Sequence, residues 1–313
     1  MNAARGQDIK ASLNERAGLH AWWRLLRPHT LTAAFVPVFI GTMLAATRGR
    51  LNLLLFSAML LASLLIQAAT NMFNEYYDYV RGLDNESSVG IGGAIVRDGI
   101  APKTVLSLAL GFFGTAMLLG LYISASSSWW VVVIGLASML IGYLYTGGPY
   151  PIAYTAFGEL VAGFFMGTVI IGISYYIQTL ALTSNVLWVS VPAAILVGAI
   201  LLANNIRDLD GDRESGRRTV AILLGRAGAI RLLAAAFILA YAVTAVLIAT
   251  DRLPLWSALA FLSIKKAWDA VHGFSGKIMP IEMFPAMKAT AETNTLYGLL
   301  LGLSLLLQAY AKG

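Results

Sequence analysis

The chain has 313 residues, of which 58% are hydrophobic and only 12% are charged. Several uncharged runs approach or exceed about 18 residues, the length that an α-helix needs to cross a bilayer. The absence of cysteine excludes disulfides, thiolate metal sites and cysteine nucleophiles, and three widely separated histidines argue against a histidine zinc site. We attribute the net charge of +6 to basic residues in the loops that flank membrane helices and to basic residues that bind an anionic substrate. We do not interpret it as a sign of nucleic-acid binding.

The N-terminal residues 1–17 are polar, and we expect them to be mobile. They have no apolar core, so no cleavable signal peptide is predicted. The next segment, 18–27, combines Trp22 and Trp23 with basic residues, a pattern typical of a helix at the membrane surface. Residues 18–313 are predicted to form a single transmembrane domain.

The predicted fold is an all-α polytopic membrane protein with nine transmembrane helices. The spans are 29–47, 53–80, 103–124, 128–146, 156–181, 185–207, 228–250, 254–274 and 289–310. The eighth is expected to be short or to turn a polar face to a cavity, because Lys265, Lys266 and Asp269 interrupt it. If the N-terminus is cytoplasmic, the inner segments carry 18 Lys and Arg residues and the outer segments carry 4. This bias predicts that orientation by the positive-inside rule.

The second span ends in an unusually polar segment. Read as a helix, it presents one polar stripe made of Gln67, Asn71, Asn74, Glu75 and Asp78. Gly82 then breaks the helix, and Asp84 lies just beyond it. Because ionisable residues inside a membrane are costly, the stripe indicates a functional site that faces the interior of the helix bundle.

A second polar cluster closes the sixth span about 130 residues later. Asn204, Asp208 and Asp212 recur at four-residue steps and share one helical face. With the predicted topology, both clusters lie at the cytoplasmic ends of their helices. Carboxylates from two helices, together with waters and substrate phosphates, are a typical environment of Mg²⁺, so the sequence predicts one shared Mg²⁺ site.

The glycine-rich loop at 85–103 contains Arg97 and Lys103 and is open to two interpretations. It could expose backbone N–H groups to a phosphate, or its glycines could only make turns; it does not match P-loop spacing. Tyr143 and Tyr145, at the end of the fourth span, are either membrane-interface aromatics or cavity lining.

Other candidate basic residues lie in or just after the second cluster and after the eighth span. Arg207 is either a structural partner of Asp208 or a phosphate ligand. Arg217 lies in a loop that is either solvated or a basic clamp over a diphosphate, since arginine matches phosphate oxygens bidentately. Lys288 either faces the site or belongs to an ordinary helix start.

Two acidic clusters flanked by basic residues require a ligand that is anionic and bridged by metal. A diphosphate meets this requirement, and Mg²⁺ would make it a better leaving group. The location in the bilayer indicates that the rest of the substrate is hydrophobic. A polyprenyl diphosphate has both properties.

At these residues the sequence resembles the UbiA superfamily of intramembrane prenyltransferases, and within it the menaquinone branch of 1,4-dihydroxy-2-naphthoate polyprenyltransferases. The resemblance covers nearly all of 20–310. It is carried by the segments LRPHTLTAAFVPVFIGT (26–42), NEYYDYVRGLD (74–84), SVGIGGAIVRDGIAPK (88–103), LYTGGPYPIAYTAFGE (144–159), NNIRDLDGDRESGRRT (204–219) and FPAMKATAETNTLYG (284–298).

The resemblance implies roles for individual residues. The metal motifs would comprise Asn74, Asp78, Asp84, Asp208 and Asp212, with Glu75 standing where the family usually has aspartate. Diphosphate partners would be Arg81, Lys103 and Arg217, and Tyr143 would lie near the reacting carbon. From their positions alone, Asn71, Arg207 and Lys288 are further candidates for substrate binding.

The implied fold surrounds a central cavity that opens sideways to lipid. The implied reaction is Mg²⁺-dependent transfer of a polyprenyl chain to 1,4-dihydroxy-2-naphthoate, with loss of pyrophosphate and CO₂, to give demethylmenaquinone. The active site of this cell-membrane protein would face the cytoplasm. Alternatives are another acceptor, such as 4-hydroxybenzoate, haem or a glycerol phosphate; a membrane transporter; or a non-catalytic lipid-binding scaffold.

Overall fold

The computed structural model describes residues 19–83 and 93–312, and the regular structure in them is helical. The helices are α1 (Leu19–Leu26), α2 (Pro28–Ala46), α3 (Leu53–Val80), α4 (Pro102–Ser126), α5 (Trp130–Thr146), α6 (Gly158–Thr179), α7 (Ser184–Glu214), α8 (Val220–Ala249), α9 (Ile264–Phe274) and α10 (Phe284–Lys312). Short 3₁₀ helices at Ile152–Tyr154, Leu255–Ser263 and Pro280–Met283 join them. The all-α prediction is confirmed, whereas 1–17 lie outside the described residues.

Six helical segments of the described chain are long and apolar enough to cross a membrane: α3, α4, α6, α7, α8 and α10 with the 3₁₀ helix before it. The apolar stretches Thr30–Ala46 and Trp130–Thr146, in α2 and α5, are shorter. The predicted eighth span is broken into the 3₁₀ helix Leu255–Ser263 and the short α9. The break precedes its charged residues, of which Lys265 and Asp269 are exposed.

Local sequence signals fix the start and end of α3. The side chain of Asn52 accepts hydrogen bonds from the backbone N–H groups of Leu54 and Leu55, at 3.0 and 3.1 Å, which caps the first turn. At the other end Gly82 has φ = 71°, a left-handed conformation that glycine adopts without strain. The helix is therefore continuous through its whole polar stripe.

The helices pack around two main apolar cores. The larger contains Ile40 of α2, Leu196 of α7, Leu233 of α8 and Tyr297 of α10, all fully buried. The smaller joins α1, α3 and α4. Residues of α7 belong to the larger core, and the polar half of α3 packs into the smaller one.

A π-helical segment, Gly163–Val169, interrupts α6 where it packs on α7. A Cβ atom at Gly167 would lie 2.5 Å from the Cα atom of Ala194, so only glycine permits this approach. Such π-helical segments often occur at functional sites, and this one lines the cavity described below.

The crossing of α2 and α10 depends on two glycines four residues apart. A Cβ atom at Gly298 would lie 2.1 Å from Cγ1 of Val36, and one at Gly302 would lie 2.3 Å from the ring of Phe39. Small residues at this spacing let membrane helices approach closely, since packing rather than hydrophobic burial drives their association.

We predict that Gly298→Val destabilises the protein by about 1–3 kcal/mol, because the added side chain overpacks the crossing. Thermal unfolding in detergent would show a lower midpoint than wild type. Gly111→Val, on α4, is the matched control, because a Cβ atom there has no heavy atom within 4 Å. Equal midpoints for the two variants would contradict the prediction.

Candidate active site at the ends of α3 and α7

The polar clusters of α3 and α7 lie at the same end of one apolar cavity. Asn74 and Asn204 both line this cavity. Asp78 follows Asn74 by one helical turn, and Asp212 follows Asn204 by about two. The carboxylates therefore lie just beyond the cavity's polar end.

Arg217 joins the two clusters directly. Its Nη2 donates to Oδ1 of Asp78 at 2.9 Å, and its Nη1 lies 2.9 Å from Oδ1 of Asp212. The three side chains are only 10–16% exposed. One guanidinium thus bridges carboxylates that are more than 130 positions apart in the chain.

The loop after α7 positions Arg217. Gly216 has φ = 76°, and the backbone N–H of Arg217 donates to the carbonyl of Asp212 at 3.0 Å. The guanidinium carbon lies 4.6 Å from the ring centroid of Tyr154, a cation–π geometry. The backbone N–H of Arg218 also donates to the carbonyl of Tyr154, at 2.8 Å, which holds the ring beside this loop.

Two opposing effects act on the charge of Arg217. Burial lowers the pKa of its guanidinium, but the carboxylates of Asp78 and Asp212 together outweigh burial and raise the pKa above its ordinary value. Arg217 is therefore a permanent cation between the two acids. The site tolerates positive charge at the point where the clusters meet.

A second arginine, Arg81, also packs against the ring of Tyr154. Arg81 donates to the carbonyls of Thr146 and Gly148, at 2.5 and 2.8 Å, and so caps the end of α5. Its guanidinium carbon is 5.1 Å from the centroid of Tyr77 and 5.4 Å from that of Tyr154. Because Tyr154 contacts both arginines, Arg81 and Arg217 belong to one basic cluster.

The cavity itself has a volume of about 230 Å³ and is mostly apolar. Residues of α2, α3, α4, α5, α6 and α7 line it, and Asn204 of α7 lies at its polar end. Tyr145 lines it, which answers the question left by the sequence for this tyrosine. Tyr143 instead donates or accepts a 2.7 Å hydrogen bond with the hydroxyl of Tyr77 and packs edge-on against Phe73.

Two other predicted residues, Arg207 and Asn71, have defined side-chain partners. Arg207 forms a side-chain ion pair with the adjacent Asp208, with Nε 2.6 Å from Oδ1. Asn71 lines the cavity and donates to the carbonyl of Leu26 and the hydroxyl of Thr30, both at 2.9 Å, and so anchors the start of α2.

Glu75 differs from the other predicted ligands because both of its oxygens have partners elsewhere. Oε2 lies 3.5 Å from Arg27, and Oε1 accepts from the N–H of Ile95 at 3.3 Å. The residue is buried. It holds the left-handed backbone of Arg27 (φ = 51°) and the turn at 93–98 against α3.

The structure does not bring the two predicted lysines into contact with the carboxylates. Lys103 is exposed at the start of α4. Lys288 is 69% exposed and lies 3.8 Å from Glu292, which also pairs with Lys266 at 2.6 Å. Asp84 lies outside the described residues.

The carboxylate and amide oxygens at this site are ligands of the kind that a hard cation prefers. In the ranges 19–83 and 93–312, no group of three or more acidic, histidine or cysteine side chains forms a ready metal site. However, Asp78 and Asp212 already share a cation, the Arg217 guanidinium. Asn74, one helical turn before Asp78, lines the cavity and has an amide oxygen that could serve as a further ligand. Carboxylate and amide oxygens are ligands that Mg²⁺ accepts.

Sequence reasoning did not identify the role of Tyr154 or the cavity position of Arg27. Neither residue belongs to a periodic polar stripe, because Tyr154 lies in a short 3₁₀ helix and Arg27 between two helices. The only available signal for Tyr154 was an aromatic residue in a loop on the same predicted side of the membrane as Arg217.

We predict that Arg217→Gln lowers the stability of the metal-free protein by about 1–3 kcal/mol, because it leaves two buried carboxylates without their shared donor. Thermal unfolding in EDTA measures this loss. Arg213→Gln, which changes an exposed arginine in the last turn of α7, is the control. A midpoint for Arg217→Gln that is equal to the control's would show that the bridge is not formed in solution.

Comparison with known proteins places this arrangement in a family. Residues 34–274 match the UbiA prenyltransferase family. The chain is 56% identical over 306 residues to 1,4-dihydroxy-2-naphthoate octaprenyltransferase of Bacillus subtilis, and the aligned region covers 98% of each chain. It is 30% identical to the protein of the same name from Haemophilus influenzae, over 69% of this chain and 72% of that one.

Solved structures share the fold at low sequence identity. A UbiA homolog from Aeropyrum pernix superposes with a TM-score of 0.67 at 15% identity, over 87% of this chain and 96% of that one. A UbiA homolog from Archaeoglobus fulgidus, bound to GPP and Mg²⁺, superposes with a TM-score of 0.66 at 14% identity, over 91% of this chain and 99% of that one. The helices, the polar clusters and these matches together establish that the chain belongs to the UbiA prenyltransferase family.

Proposed function

We propose that this enzyme transfers a polyprenyl chain from polyprenyl diphosphate to 1,4-dihydroxy-2-naphthoate, with release of pyrophosphate and CO₂, to form demethylmenaquinol, the reduced form of demethylmenaquinone. The observation that carries the chemistry is the meeting of Asp78, Asp212 and Arg217 at the polar end of an apolar cavity. The choice of acceptor is supported by the names of the Bacillus and Haemophilus relatives.

We propose Mg²⁺ as the cofactor, held by Asn74, Asp78, Asp208 and Asp212, with Asp84 as a further ligand. When bound, Mg²⁺ would neutralise the diphosphate and improve it as a leaving group. Glu75 is left out of this set because the partners of its buried carboxylate, Arg27 and Ile95, belong to neither acidic cluster. The Mg²⁺ bound to the Archaeoglobus homolog is consistent with a divalent ion in this fold.

The chain's own cations would bind the diphosphate. Arg217 is positioned between both acidic clusters, and arginine can donate two parallel hydrogen bonds to phosphate oxygens. Arg81 is held rigidly beside it by two backbone carbonyls and two tyrosine rings. We also propose substrate contacts for Arg207, Lys103, Lys288 and Asn71.

The cavity wall would keep water away from the reacting carbon. Its lining is mainly apolar, and Tyr145 contributes an aromatic face near the polar end. A water-poor environment strengthens the electrostatic interactions with the diphosphate and limits hydrolysis of the prenyl donor. Tyr143, tied to Tyr77, would support this wall from behind.

We further propose that the chain crosses the cell membrane nine times as one domain from residue 18 to 313. The two shorter apolar helices and the 3₁₀–α9 segment would supply the three crossings beyond the six long helical segments. The distribution of Lys and Arg, 18 against 4, supports a cytoplasmic N-terminus. The active site would then face the cytoplasm.

The direct test is an assay of the purified protein with Mg²⁺, labelled prenyl diphosphate and 1,4-dihydroxy-2-naphthoate. We expect a prenylated lipid product together with CO₂, and no product after EDTA treatment. Turnover with 4-hydroxybenzoate but not with the naphthoate would overturn the acceptor assignment. Turnover that persists without divalent cations would overturn the proposed cofactor.

We predict that Asp78→Asn and Asp212→Asn each lower kcat by at least about 10²-fold, the scale of losing one group that stabilises charge in the transition state. Asp210→Asn is the matched control on the same helix, because Asp210 is 61% exposed and pairs with Arg226 at 2.7 Å. It should retain nearly full activity. Wild-type rates in both test variants would exclude the proposed role of the carboxylates.

A further inference from the structure

The apolar cavity extends far beyond the carboxylates. On α3 its lining begins at Asn74 and continues, turn by turn, to Met59. These fifteen steps correspond to about 22 Å along the helix axis. On α5 the lining residues Val131, Gly135 and Ser138 also share one helical face. The cavity is therefore an elongated groove that runs parallel to the helices.

The far end of this groove has a floor. Met59, Ile123 and Val131 line the cavity and are buried. They belong to a packed apolar cluster with Leu55 and Ile177, which are also buried. A chain that enters from the carboxylate end meets this cluster last.

Two glycines keep the groove open before the floor. Gly120 lies six residues before the end of α4, and Gly135 lies five residues after the start of α5, so they lie at similar depths. Both line the cavity, and a Cβ atom at either position would have no heavy atom within 4 Å. In a helix, glycine costs about 1 kcal/mol relative to alanine. Neither glycine is required by helix packing, in contrast to Gly298.

We propose that Gly120 and Gly135 determine how long a prenyl chain the cavity can seat. This inference rests on the proposed function, because it takes the groove as the seat of the prenyl tail. A larger side chain at either position would fill the passage between the carboxylate end and the floor. Short chains would still bind above the obstruction, whereas long chains would lose the lower half of their seat.

The size of the effect follows from hydrophobic discrimination. One methylene more or less in an apolar pocket changes specificity by roughly 10- to 200-fold. Gly135→Leu introduces several carbon atoms into the passage. We therefore expect the ratio of affinities for long and short chains to fall by about 10-fold or more.

The test measures binding and not turnover, so that it does not depend on the acceptor. Dissociation constants of geranyl and octaprenyl thio-diphosphates, with Mg²⁺, are compared in the full-length protein and in Gly120→Leu and Gly135→Leu. We expect weaker binding of the octaprenyl compound and unchanged binding of the geranyl compound. Retained geranyl binding also shows that the variants are folded.

Gly111→Leu is the matched control, because Gly111 lies on α4 with the same open surroundings but does not line the cavity. It should leave both affinities unchanged. An unchanged ratio in Gly120→Leu and Gly135→Leu would overturn the inference, as would an equal fall for both compounds. Failure of the transfer assay with intact length discrimination would instead count against the proposed function alone.

Discussion

The bridge from Arg217 to Asp78 and Asp212 is the interaction on which the architecture of the site depends. Two carboxylates at the ends of different membrane helices would repel each other if they met without a cation. The guanidinium between them lets α3 and α7 converge at the polar end of the cavity. The bridge also shows that the space between the two carboxylates accepts positive charge. The metal ion of a metal-bound diphosphate would bring positive charge to the same place.

The rest of the site is arranged around this point by backbone features rather than by more charges. Gly216 turns the chain after α7 so that Arg217 returns toward Asp212, and the ring of Tyr154 packs against the guanidinium. Arg81 caps the C-terminal end of α5 and packs against the same tyrosine ring. A substrate that brings its own cation could therefore exchange contacts with Arg217 and still leave positive charge between the two carboxylates, while packing and backbone hydrogen bonds hold the surrounding groups.

Much of this arrangement could be predicted from the sequence, for identifiable physical reasons. Polar residues inside membrane helices are costly, so the stripes that contain Asp78 and Asp212 were visible as exceptions in apolar runs. The part played by Tyr154 was not predictable, because it depends on a 3₁₀ helix that follows no hydrophobic period. The partners of Glu75 and the floor of the cavity also escaped prediction, since both are set by contacts between segments distant in the chain.

The most direct test of the account is an experimental structure with Mn²⁺ in place of Mg²⁺ and a bound prenyl thio-diphosphate, with the metal located by its anomalous signal. The account predicts the metal between Asp78 and Asp212, Arg217 within hydrogen-bond distance of the diphosphate, and the prenyl tail directed toward Met59. A diphosphate bound elsewhere, with Arg217 still joining the two empty carboxylates, would contradict it.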